Sequence, residues 1–187
     1  MRKFFATLIT LLSLAVVLNN TAYAGKLNKP HRVKRDSLEF NTDSVSGDAI
    51  ILFAETLLGS RYRSATSNPF EGFDCSGFVS FVFKNFGVKV PRSSPEFMNI
   101  GEKVNLADAK AGDILVFTSP TRHHRIGHVG IVYSNNSDGI KFIHSTSGKE
   151  HGVTVTIMDD MYRNRFVQVI RVLKMNDMPE TTLAALK

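Results

Sequence analysis

The chain has 187 residues, 23 Lys or Arg against 17 Asp or Glu, and a single cysteine. Much of the basic excess sits in His31-Arg32-Val33-Lys34-Arg35, without the interleaved aromatic residues that single-stranded nucleic-acid binding uses, so nucleic acid is excluded as the expected partner. One cysteine excludes an internal disulfide, and a chain of this length holds one domain whose stability must come from its apolar core.

In chain order, Arg2 and Lys3, the apolar run from Phe4 to Leu18 and the small-x-small triplet Ala22-Tyr23-Ala24 predict a cleaved export signal over residues 1–24. The run is too short for a permanent bilayer span, and no cysteine near Ala24 offers a lipid attachment site. The expected location is therefore periplasmic or secreted, with no permanent membrane anchor. Residues 25–45 are polar, basic and non-periodic, which reads as a flexible leader. The domain is expected over 46–174, followed by a polar tail over 175–187.

From Ser46 the apolar residues Ile50, Phe53, Ala54, Leu57 and Leu58 recur at helical spacing, with Ser46 or Asp48 to cap the start and Gly59 to end it. Asp74 is a good N-cap for a central helix that buries Phe78, Val79, Phe81, Val82 and Phe86 and stops at Gly87. A short third helix is expected to start with Ser94 as cap and Pro95 at the first helical position. Beyond Gly112, five β-branched or aromatic runs predict strands: Ile114–Phe117, His128–Tyr133, Ile140–His144, Val153–Ile157 and Phe166–Leu173. Helices followed by a meander of strands make an α+β domain.

The central helix places Cys75 in its first turn, where unpaired N–H groups and the helix dipole stabilise a thiolate. Small or polar neighbours in Gly72-Phe73-Asp74-Cys75-Ser76-Gly77 leave room for a substrate backbone. A nucleophilic thiol needs a base. Of the six histidines, His31, His123, His124 and His151 fall in the leader or in loops. His128 opens one strand and His144 closes the next, and pairing Tyr133 near Gly139 sets the two opposite each other on one face, ~5 Å apart at Cβ. One imidazole can then take the thiol proton while the other fixes its tautomer. A one-residue slip would separate them. The competing chemistry is a zinc site built from His123, His124, His128 and His144, which has no nearby carboxylate ligand and leaves Cys75 unexplained, so no metal and no cofactor are expected.

The segments Phe73-Asp74-Cys75-Ser76-Gly77-Phe78-Val79, Pro91-Arg92-Ser93-Ser94, Gly112-Asp113-Ile114-Leu115-Val116-Phe117, His128-Val129-Gly130-Ile131-Val132-Tyr133 and Phe142-Ile143-His144-Ser145, in this order, resemble the NlpC family of papain-like cell-wall cysteine peptidases. The resemblance implies a papain-like fold, the cysteine helix packed on an antiparallel sheet of about five strands. It also implies Cys75 as nucleophile, His128 as base, His144 as third polar residue and Tyr62 as oxyanion support, with Asp74, Ser76 and Arg92 lining the substrate groove. The implied substrate is the stem peptide or cross-link of peptidoglycan, cut most often between D-glutamate and the diamino acid. Independently of the resemblance, a monomer is the default expectation, and the sequence leaves oligomeric state open. Where the family usually has an aromatic and a Gly-Gly pair after the tyrosine, this chain reads Tyr62-Arg63-Ser64-Ala65-Thr66, so a different loop is expected there. Two other readings share these motifs: a secreted effector or amidase acting on another amide, and a non-catalytic wall-binding module.

Overall fold

The computed structural model describes residues 44–177. The expected export signal, the leader up to residue 43 with His31, and the tail from residue 178 lie outside the described residues. Ser46 is extended and its hydroxyl accepts the Ala49 N–H at 3.2 Å, which starts α1 (Gly47–Glu55). The apolar spacing continues to Leu58, yet α1 stops earlier. The Thr56 hydroxyl donates to the Phe53 carbonyl at 2.6 Å, and the chain turns through Gly59 at φ 77°.

A two-stranded hairpin, β1 (Ser67–Asn68) and β2 (Gly72–Phe73), leads into the central helix α2 (Cys75–Asn85). These strands are too short to carry an alternating pattern, so the sequence does not announce them. Asp74 caps α2 by accepting the Gly77 N–H at 2.7 Å. Gly77 is required by a close approach: a Cβ there would stand 2.0 Å from the Thr66 carbonyl oxygen. The third helix is a 3-10 segment, Ser94–Asn99, and its cap is Ser93, which makes no side-chain cap bond. The expectation for Ser94 is corrected accordingly: it is the first helical residue, one position inside the cap.

Six strands form one antiparallel sheet in the order β3-β8-β4-β5-β6-β7. They are β3 (Glu102–Val104), β4 (Ile114–Thr118), β5 (Ile126–Asn136), β6 (Gly139–Ser145), β7 (Val153–Ile157) and β8 (Phe166–Arg171). The sixth strand is the edge strand β3, whose Glu-Lys-Val lacks a strand signature. A single helical turn, α3 (Asp160–Arg163), joins β7 to β8.

Each face of the sheet has its own core. On one, Phe78, Val79, Val82 and Phe83 of α2 and Ile50 of α1 pack on Ile114, Val116, Val129, Ile131 and Ile143. On the other, Leu115, Phe117, Val132 and Phe142 pack on Met158, Tyr162 and Val169. The start of β4 is anchored by fully buried Asp113. Its carboxylate accepts from Arg171 Nε at 3.0 Å and Nη2 at 2.8 Å, and from the Lys110 N–H at 2.8 Å. Asn176 is also buried and bonds Ala111 O at 2.9 Å, so the residues just after 174 contact this anchor.

Truncating one partner of a buried ion pair leaves the other charge desolvated and uncompensated. The Asp113→Ala variant is expected to lose about 3 kcal/mol or more of unfolding free energy. Urea unfolding would show this as a lower midpoint at unchanged slope, and a midpoint within error of wild type would contradict it.

Candidate active site

The hairpin of β5 and β6 decides where the two histidines point. Its turn closes with Asn136 opposite Gly139 and Ser134 opposite Lys141, but from Val132 onward the partners are Val132 with Phe142 and Ile131 with Ile143. Tyr133 is the extra residue, a β-bulge. Continued without it, the turn register would put His128 and His144 on opposite faces. With it they share a face, offset diagonally rather than directly opposite as the sequence reading expected. One step below Ile131, Gly130 falls beside His144, and a Cβ there would stand 2.7 Å from Phe142 Cδ2 and 3.1 Å from His144 Cβ.

The rings then meet: His128 Nε2 lies 2.8 Å from His144 Nδ1, and His144 Nε2 lies 2.8 Å from Thr156 Oγ1 on β7. Both rings are buried against Phe117, Phe142 and Tyr162. With Nε2 of His128 committed to His144, Nδ1 is the ring nitrogen left free, and His128 lines a cavity together with Cys75. One proton assignment makes His128 a base there: its Nε2–H donates to His144 Nδ1, and the His144 Nε2–H donates to Thr156. Thr156 is the member of this chain that sequence reasoning missed. In Val-Thr-Val-Thr-Ile it looks like any strand threonine, and only the sheet brings it to His144.

The cysteine arrives from the other direction. Ser145, next to His144, donates from its buried hydroxyl to the Phe73 carbonyl at 2.7 Å, which ties β6 to the segment just before the α2 cap. Cys75 is half-buried, and its Sγ lies 3.9 Å from the carbonyl oxygen of Gly127, the neighbour of His128. The N–H groups of Val129, Ser76 and Cys75 favour the thiolate, but burial, with Asp74 adding to it, pushes the thiol above its ordinary value. The thiolate expected from the helix position is outweighed by desolvation. Burial likewise holds His128 well below the usual imidazole range, assisted by His144 and Arg165, and lowers His144 to about 3. At neutral pH the free protein therefore pairs a thiol with a neutral imidazole.

Tyr62 borders Cys75 on two sides, because both cavities at the cysteine include it. Its N–H donates to the His151 carbonyl at 2.8 Å and its ring lies 5.7 Å from that of His151. Burial and the neighbouring Cys75 and Asp74 raise its hydroxyl, which stays a proton donor at neutral pH. Asp74, Ser76 and Arg92 come together along one of these cavities, about 460 Å³ in volume. Arg92 grips Asp74 with two bonds, 2.9 and 2.7 Å, and donates to Ser76 Oγ at 3.1 Å. His123 and His124 are exposed in the loop after β4, whereas His128 and His144 are buried. Among the described residues no three His, Cys, Asp or Glu side chains gather in metal-binding geometry.

Compared with known proteins, the chain matches the model of the NlpC/P60 family over residues 59–171, more than half its length. The chain belongs to the NlpC/P60 family. A probable endopeptidase NlpC homolog of Haemophilus influenzae is 28% identical over 165 residues, covering 87% of this chain and 81% of that protein. The Escherichia coli K12 protein named murein DD-endopeptidase MepS/murein LD-carboxypeptidase is 34% identical over 117 residues, 62% of this chain and 57% of its own length. A crystal structure of an NlpC/P60 family protein from Bacillus cereus superposes with a TM-score of 0.62 at 25% identity, over 69% of this chain and 41% of that one. The α+β fold is that of the NlpC/P60 domain.

Two measurements check the electrostatics of this site. Alkylation of Cys75 by iodoacetamide in the free protein is expected to be slow near neutrality and to climb only at pH values above the ordinary thiol range, because burial raises the thiol. A rate already flat from acid pH would mean a preformed ion pair. Replacing Thr156 by Val removes the acceptor that fixes the His144 tautomer, with an expected loss of about tenfold in kcat at unchanged KM. An unaltered kcat would show that the His128–His144 contact orients itself.

Proposed function

We propose that this NlpC/P60 chain, a cysteine-type hydrolase, cleaves an amide bond in the stem peptide or cross-link of peptidoglycan after export from the cytoplasm. The observation that carries the mechanism is Cys75 at a helix start, sharing a cavity with a histidine whose far nitrogen is held by a second, neutral histidine. The names of the relatives, a murein DD-endopeptidase and a probable endopeptidase among them, support the substrate class.

In this reading His128 Nδ1 takes the thiol proton as Cys75 Sγ attacks the carbonyl carbon. The carbonyl electrons move onto oxygen, which the N–H groups at the start of α2 and the Tyr62 hydroxyl stabilise. Collapse of this adduct breaks the C–N bond, and His128 gives its proton to the departing amine, leaving a thioester on Cys75. Water then attacks with His128 again taking a proton, and the acid product and free thiol are released. His144 accepts the Nε2–H of His128 throughout and stays neutral, since burial keeps it from competing for the proton. Asp74, Ser76 and Arg92 line the acyl side of the groove. The bond between D-glutamate and the diamino acid is the proposed site of cleavage.

Mass spectrometry of peptidoglycan fragments incubated with the protein tests this. New peptide products are expected, with at least about a thousandfold loss in Cys75→Ala and His128→Ala. Absence of products from both intact and fragmented wall would overturn the hydrolase reading and favour the binding module, whereas cleavage of an unrelated amide alone would favour the effector reading.

A further inference from the structure

Arg165 is a buried cation without an anion. It is 9% exposed, and it makes no ion pair among the described residues. Its Nε and Nη2 donate to one carbonyl, that of Thr118, at 3.0 and 2.7 Å, and its guanidinium lies 5.5 Å from the centroid of the Tyr162 ring. Nη1 has no hydrogen bond among these contacts, and no buried side-chain nitrogen or oxygen lacks a partner, so Nη1 keeps access to solvent on a residue that lines the cavity of Cys75. Bonding a carbonyl needs a donor, and a neutral amide supplies one. The Tyr162 ring answers the positive charge only in part, no anion faces it among the described residues, and burying a charge without a counter-ion is costly.

The cavity suggests what the charge is for. It measures about 250 Å³, the size of one amino-acid residue, and it is lined by Cys75 and His128 together with Arg165, Thr146 and Ser147. A histidine that protonates the departing amine must stand beside it, so the part of the substrate on the leaving side of the scissile bond occupies this cavity, while Asp74, Ser76 and Arg92 lie along the other one. Unlike Arg165, Arg92 already has its carboxylate in Asp74.

We infer that Arg165 is a specificity residue that pairs with a free carboxylate on the residue carrying the leaving amine, such as the carboxylate of a wall diamino acid. The inference rests on the hydrolase reading above and adds the identity of the leaving side. A planar, two-pronged guanidinium with one edge open suits a carboxylate, and a charge-assisted bond in a sheltered cavity discriminates strongly against the neutral carboxamide. The same pairing acts on the base. Behind burial, the Arg165 charge contributes to disfavouring protonated His128 and His144, so an anion seated on Arg165 makes it easier for His128 to take the Cys75 proton once substrate is bound.

The test compares cleavage of wall stem peptides and cross-linked dimers whose diaminopimelate carboxylates are either free or converted to carboxamides. Wild type is expected to prefer the free carboxylates by about tenfold or more in kcat/KM. Arg165→Met is expected to bring that ratio close to one, and Arg165→Lys, which keeps the charge but not the fork, to an intermediate value. Because Arg165 also holds the Thr118 carbonyl, the methionine variant can fail to fold, in which case the ratio in Arg165→Lys decides. Equal cleavage of both substrates by wild type, or a preference that persists unchanged in either variant, overturns the inference and leaves the hydrolase reading standing. Cleavage of neither substrate overturns both.

Discussion

One extra residue in β5 holds the site together. The turn between β5 and β6 and the core below it call for registers that differ by one, and the bulge at Tyr133 reconciles them. A sheet has a period of two, so an odd shift exchanges faces. Without the bulge either Val132 and Phe142 would leave the core or His128 would turn away from His144. Tyr133 itself turns to Glu55 of α1, bonding it at 2.6 Å, so the irregular position is also pinned by a tertiary contact.

From that pairing the rest of the site follows outward. The two histidines lie on the face of the sheet opposite α2, and Cys75 shares a cavity with His128 only because the start of the helix stands near Gly127, where β5 begins. Ser145 makes the connection rigid by holding the Phe73 carbonyl. Cross-strand neighbours extend the chain to Thr156 on one side, and α3 with its connection to β8 extends it to Tyr162 and Arg165 on the other. A site assembled this way depends on nearly every strand of the central sheet, while its reactive atoms come from the ends of two elements.

Burial shifts the thiol up and the two imidazoles down, with one consequence. It favours the neutral form of Cys75, His128 and His144 alike. His144 benefits most directly, since only its neutral form can accept from His128. At the surface side, Asp74 serves two ends at once: it caps α2 and binds Arg92, so its carboxylate is already paired where it lines the cavity beside Cys75. The cavity that Cys75 and His128 share is lined instead by Arg165, which has no carboxylate partner among the described residues.

Local chemistry written in the sequence determined the capped helices at Ser46 and Asp74, Cys75 in the first turn of the central helix, and the strands from β4 to β8, because caps, apolar periodicity and turn residues act over a few positions. It also determined that His128 and His144 belong to one hairpin. The hairpin β1–β2 and the edge strand β3 were not legible, being too short or too polar to show a pattern. Tertiary structure alone decided the true register, since a bulge answers the demands of two cores at once. It alone brought Thr156 to His144 and Arg165 into the cavity of Cys75, contacts between segments far apart in the chain. It also reversed the expected sign of the thiol's shift, because desolvation depends on everything packed around a group, and a helix terminus only on its own turn.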